Sequence, residues 1–110
     1  GVCPLVYSQA RLTGTVRNID EWGLEEVSVY VLSTNGTVVG RDNGTDWAGN
    51  FLISGLAPGT YVVYAVPAYH NQDFGGSYAP TYYGSSSFAG ATRITLAAGE
   101  TRSGLNMIVS

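Results

Sequence analysis

An all-β sandwich is the fold this sequence predicts, and three observations carry the prediction. Short apolar runs alternate with polar residues at a period of two, from residues 11–16 through residues 105–109. Turn-forming pairs punctuate them at the spacing of a sandwich, among them Asn35-Gly36, Gly49-Asn50 and Pro58-Gly59. No stretch of ten residues carries helical periodicity.

Seven extended runs follow from this pattern. In residues 11–16, Leu12 and Val16 share one face and Arg11, Thr13 and Thr15 the other. Gly14 lies on the inner face, where the lack of a side chain lets a neighbouring strand approach closely. Residues 27–32 turn Val27, Val29 and Val31 inward, and the Thr34-Asn35-Gly36 turn then leads to an edge-like run at 37–40. Gly49 and Asn50 suit the left-handed backbone of a hairpin turn before residues 50–53, whose Phe51 and Ile53 share a face. Pro58 presets φ for the next turn and Gly59 is expected to supply the positive φ. Residues 60–66 are apolar on both faces and belong at the centre of a sheet. Residues 92–96 bury Ile94 and Leu96 while exposing Arg93 and Thr95. After the turn at 97–101, residues 105–109 bring Leu105, Met107 and Val109 inward.

Composition narrows the function. At 110 residues the chain fits one domain spanning residues 1–110. Charged residues are scarce at 12%, against the usual quarter, which together with the lack of lysine fits a secreted or cell-surface setting. The net charge of −3 supplies no basic face, so nucleic acid is not an expected partner. There is no run of apolar residues long enough to span a membrane. All five basic side chains are arginine, which removes lysine Schiff-base chemistry. The single cysteine, Cys3, has no partner within the sequence, and the first residue is Gly, so the chain reads as a segment excised from a larger secreted protein.

Three constellations bear on chemistry. His70, the only histidine, could be grouped with Asp73 and the Ser85-Ser86-Ser87 run, but a flexible loop gives a triad no rigidly oriented base, and no catalytic residue is expected. Asp42, Asn43, Asp46 and Asn50 offer hard oxygen ligands, and Asp20, Glu21, Glu25 and Glu26 form a second acidic group. Neither has the spacing of a calcium loop, and turn formation explains the first, so no metal or cofactor is expected. The third constellation is aromatic. Trp22 and Trp47 fall in turns, and the long segment 67–91 carries Tyr78, Tyr82 and Tyr83. These five residues form a candidate carbohydrate-binding set, because sugar C–H faces stack on aromatic rings while Gln72, Asp73 and Arg41 could bond the hydroxyls. The competing reading is that the rings fold back and seal an open end of the sandwich. Asn35-Gly-Thr37 and Asn43-Gly-Thr45 are formal glycosylation sequons that Asn-Gly turns explain equally well.

Several of these segments also share a motif order. Asp46-Trp-Ala-Gly-Asn-Phe51 is followed by Ile53-Ser-Gly-Leu-Ala-Pro-Gly-Thr-Tyr61. Leu12-Thr-Gly-Thr-Val16 precedes them, and Leu96-Ala-Ala-Gly-Glu-Thr101 with Leu105-Asn-Met107 closes the set. This order resembles the carboxypeptidase regulatory-like domains, and Tyr78-Ala-Pro-Thr-Tyr-Tyr-Gly84 matches a segment common there except for a missing proline. The resemblance implies a seven-stranded antiparallel Greek-key β-sandwich of prealbumin-like topology. It also implies a non-catalytic accessory module that positions neighbouring domains of the same polypeptide or mediates adhesion to a polysaccharide or surface protein. Without lysine, the Lys–Asn isopeptide bond of related pilin and adhesin repeats cannot form. The histidines and C-terminal Tyr-Arg-Gly-Ser of the prealbumin-fold enzymes acting on 5-hydroxyisourate are absent as well.

Overall fold

The computed structural model describes residues 9–67 and 78–110. Every regular element among them is a strand: β1 (Ala10–Asn18), β2 (Ser28–Ser33), β3 (Val38–Asp42), β4 (Asn50–Leu56), β5 (Gly59–Val66), β6 (Thr81–Tyr82), β7 (Ile94–Leu96) and β8 (Thr101–Val109). One sheet has the order β4-β1-β8, and the other runs β3-β2-β5-β6 with β7 also paired to β5. The chain passes from β1 to the β2–β3 hairpin in the second sheet, returns to β4, crosses to β5, β6 and β7, and ends on β8 in the first. This is the two-sheet β-sandwich that the alternation predicts.

The alternation works because successive side chains point to opposite faces. Leu12, Val16, Phe51, Ile53, Leu105, Met107 and Val109 of the first sheet meet Val29, Val31, Tyr61, Val63, Ala65, Ile94 and Leu96 of the second in one buried cluster. Each Val, Leu, Ile, Phe or Met among them contributes about 1.5–3 kcal/mol by leaving water. β5 is central, flanked by β2 on one side and by β6 and β7 on the other, and so it is apolar on both faces. Its outward Val62 joins Leu32 and Ala91 in a second buried cluster, against which Tyr30, Tyr64, Tyr82 and Phe88 pack. The segment after residue 78 therefore covers the outer face of the second sheet.

Four local expectations change. The described residues form eight strands where the sequence suggested seven, because Thr81 and Tyr82 pair with Ala65 and Tyr64. Two residues are too short a run to show a period. The sandwich is not wholly antiparallel, since β1 and β8 run parallel from Arg11 opposite Thr101 to Asn18 opposite Val109. Such a pair joins distant parts of the chain and leaves no turn signal behind. The left-handed residue lies at Gly55 (φ 77°) rather than Gly59, which is an ordinary β residue opposite Leu96. Gly55 sits where β4 takes an irregular step against β1, and Gly104 (φ 77°) marks a similar irregularity in β8, so both glycines lie inside strands that continue past them. Asn50 likewise opens β4 opposite Thr15, leaving Gly49 (φ 84°) as the left-handed residue of its turn.

Gly14 fulfils its expectation. A Cβ there would lie 1.9 Å from the Leu105 carbonyl oxygen and 2.8 Å from Phe51 Cζ, so only glycine lets β8 and the Phe51 ring approach β1 this closely. Among the described residues no helix is long and apolar enough to cross a membrane.

Candidate functional site

The connection from β1 to β2 and the connection from β3 to β4 meet at one pole of the sandwich. Thr45 pins them together from inside. Its buried hydroxyl accepts from the Val27 amide at 3.0 Å and donates to the Leu24 carbonyl, while its backbone exchanges hydrogen bonds with Glu26 and Val27. Nearer the surface the Val16 amide donates to the Gly49 carbonyl and the Leu24 amide to the Val16 carbonyl. A Cβ on Gly23 would fall 2.0 Å from the Ala48 carbonyl oxygen, so the two loops touch backbone to backbone.

Each loop then holds its own shape. Asn18 Oδ1 accepts from the amides of Asp20 and Trp22, and the Asn18 amide donates to the Trp22 carbonyl. Asp46 Oδ1 accepts from the amides of Ala48 and Asn50, while Asp46 Oδ2 accepts from the Asn50 side chain. The Asn50 amide is the main reason the Asp46 carboxyl titrates below its ordinary value of 3.8. Glu21 adopts φ 66° at the tip of the first loop, a left-handed conformation that is uncommon for a residue with a side chain.

These rigid turns hold their tryptophans outward. Trp22 is 73% exposed and Trp47 83%, and Ile19 beside them is 72% exposed. The two tryptophans line one open hollow of about 630 Å³ with Arg17, Asp20, Glu21, Gly23 and Ala48. A second hollow of about 340 Å³ adjoins it through Asp20, Trp22 and Gly23, bounded by Asn18, Ile19, Leu24 and Tyr78. The Asn18 side-chain amide donates to the Tyr78 hydroxyl at 3.2 Å, fixing that wall.

The five aromatic candidates therefore divide. Trp22, Trp47 and Tyr78 gather at the pole. Tyr83 packs partly buried on the main core, with its amide bonded to the Val63 carbonyl. Tyr82 belongs to the outer face of the second sheet, its ring centroid 4.3 Å from that of Tyr64 and 6.0 Å from that of Phe88. Burial first, and the neighbouring Tyr82 second, push the Tyr64 hydroxyl above its ordinary value. Arg41, expected as a polar partner for sugars, lies over the Tyr30 ring at 5.7 Å instead. Tyr30, Tyr64 and Tyr82 occupy facing positions on adjacent strands, so this surface is a packed aromatic row.

The remaining constellations resolve into turn chemistry or fall outside the described residues. Asp42 accepts from the amides of Gly44 and Leu52, which together with the bonds on Asp46 engages the carboxylates of the first acidic group. No group of three or more His, Cys, Asp or Glu gathers among the described residues in a way that could hold a metal. Ser85 Oγ accepts from the Ser87 amide and Ser87 Oγ from the Gly90 amide, so these hydroxyls cap local turns. His70, Gln72, Asp73 and Cys3 lie outside the described residues. At the far end of the β7–β8 turn, the Ala97 amide and the Arg102 guanidinium hold the Glu100 carboxyl below its ordinary value of 4.5.

Sequence reasoning missed Ile19, although an isoleucine between Asn18 and Asp20 in a polar turn is itself a signal of exposure. It also missed that β8 ends at this same pole. Val109 lies opposite Asn18, and the Ala79 amide donates to the Ser110 carbonyl.

No protein-family model matches the chain, and none of the curated proteins compared with it does. Among solved structures, the chain is similar to BcpA, the major pilin subunit of Bacillus cereus, with a TM-score of 0.56 and 14% sequence identity. The match takes in 93% of this chain and 29% of that one. This likeness establishes a β-sandwich fold and does not extend to the narrower carboxypeptidase regulatory-like family.

Proposed function

We propose that this domain is a non-catalytic spacer or adhesion module of a secreted or cell-surface protein, built to carry tension between the segments on either side of it. The observation behind this reading is the parallel pairing of β1 with β8. Ala10 begins β1 at one pole and Val109 ends β8 at the other, so a pull between them draws the two strands in opposite directions along a shared ladder. Every hydrogen bond of that ladder is then strained together, in shear. If β8 were antiparallel to β1, the same pull would open the ladder one bond at a time.

Other features agree with the reading. The carboxylates held below their ordinary values, Asp46 and Glu100, are accounted for by hydrogen bonds from turn amides and, at Glu100, from the Arg102 guanidinium as well. The low charge and absence of lysine suit an extracellular surface. One similar solved chain is a pilin subunit.

Single-molecule pulling tests the proposal. With Cys3→Ser as background, handles at Gln9 and Ser110 load the β1–β8 pair in shear, whereas handles at Gln9 and Ala98 peel it from one end. The expected result is a higher unfolding force in shear at every pulling speed. Equal forces in the two geometries would overturn the tension-bearing role.

A further inference from the structure

We propose that the pole formed by Trp22 and Trp47 binds a neutral glycan, an assignment that goes beyond the spacer reading and does not depend on it. The chemistry of the hollow selects the ligand. Two indoles that remain largely in water offer flat apolar surface, which the C–H face of a pyranose ring covers well. Around them stand a guanidinium, Arg17, and two carboxylates, Asp20 and Glu21. A sugar hydroxyl both donates and accepts, so it can satisfy either kind of group.

Other occupants fit less well. Two carboxylates against one guanidinium repel a phosphate, a nucleic acid, an anionic lipid surface or a uronic acid chain. A purely apolar peptide would cover the indoles but leave three charges desolvated without partners, a heavy penalty. A neutral polyhydroxylated ligand avoids both.

The platform is also preformed. Asn18 and Asp46 each accept two backbone amides in the turns that carry the tryptophans, and Gly23 locks one turn against the other at Ala48. Binding therefore orders little of the protein, which preserves affinity for a shallow site. The open form of the hollow suits the side of a chain rather than a single sugar trapped in a cavity.

The test is a titration of the whole chain, read by tryptophan fluorescence and calorimetry, with cellohexaose, xylohexaose and maltohexaose as probes and polygalacturonate as the anionic comparison. The expected result is saturable binding of at least one neutral hexaose, and weaker or no binding of polygalacturonate. Trp22→Ala and Trp47→Ala should each lower affinity about tenfold or more, as truncating a tryptophan anchor does, with melting temperature unchanged. Trp47→Phe should restore part of the loss. No saturable binding of any neutral hexaose at millimolar concentration would overturn the assignment. So would binding that survives the Trp22→Ala/Trp47→Ala double variant, or a sugar-independent self-association that these substitutions abolish. None of these outcomes alters the pulling experiment, so the two proposals fail separately.

Discussion

At the pole, Trp22 and Trp47 keep most of their surface in water, whereas on the outer face of the second sheet Tyr30, Tyr64, Tyr82 and Phe88 lie against one another and over buried Val62 and Leu32. Both regions are rich in aromatic residues flanked by polar and small ones, so as sequence they look alike. What separates them is the backbone beneath. The tyrosines occupy facing positions on paired strands, where neighbouring side chains stand close enough to pack. The tryptophans sit on turns whose amides are engaged by Asn18 and Asp46, which leaves their rings no strand neighbour to cover them. An aromatic on a ladder becomes part of the fold, and one on a tied-off turn remains available to a partner.

Substitutions put this contrast to the test, and one in the body of the sandwich sets the upper end of the scale. Gly14→Ala forces a methyl group to within 1.9 Å of the Leu105 carbonyl oxygen, so β1 and β8 must separate. A loss of about 3 kcal/mol or more is expected in urea unfolding. A loss below about 1 kcal/mol would mean that the β1–β8 contact yields easily.

The next effects belong to the two aromatic regions themselves. Tyr82→Ala removes a half-buried ring that contacts Tyr64 and Phe88, and about 2 kcal/mol should be lost, less than the 3–5 kcal/mol typical of fully buried aromatics. Trp22→Ala and Trp47→Ala should each change stability by no more than about 0.5 kcal/mol, as exposed positions do. Equal losses at Tyr82 and Trp47 would erase the distinction between the regions.

Much of the fold was legible because the alternating strands state it directly. Leu12 and Val16, Val29 and Val31, and Leu105, Met107 and Val109 are buried as their spacing predicts. The strands interrupted by glycine run longer than their alternation. Gly55 and Gly104 look like turn residues, yet they mark irregularities inside β4 and β8. The parallel β1–β8 pair could not be read at all, since nothing local encodes the direction of a strand joined across the whole chain. At the site, the polar turns around Trp22 and Trp47 are compatible both with exposed rings and with rings folded back over the core, and the exposure is seen only in the structure. Grouping them with Tyr82 and Tyr83 did not hold spatially, because the two-residue strand β6 that carries Tyr82 onto the second sheet leaves no periodic trace.

Tryptophan fluorescence of the native protein tests the contrast most directly, because the chain has only two tryptophans and both lie at the pole. An open pole gives red-shifted emission in the folded state, acrylamide quenching close to that of the unfolded chain, and almost no wavelength change on unfolding in urea. Blue emission, shielded from acrylamide and shifting red as the protein unfolds, would mean that Trp22 and Trp47 are packed like the tyrosines, and the account of an open aromatic pole would be wrong.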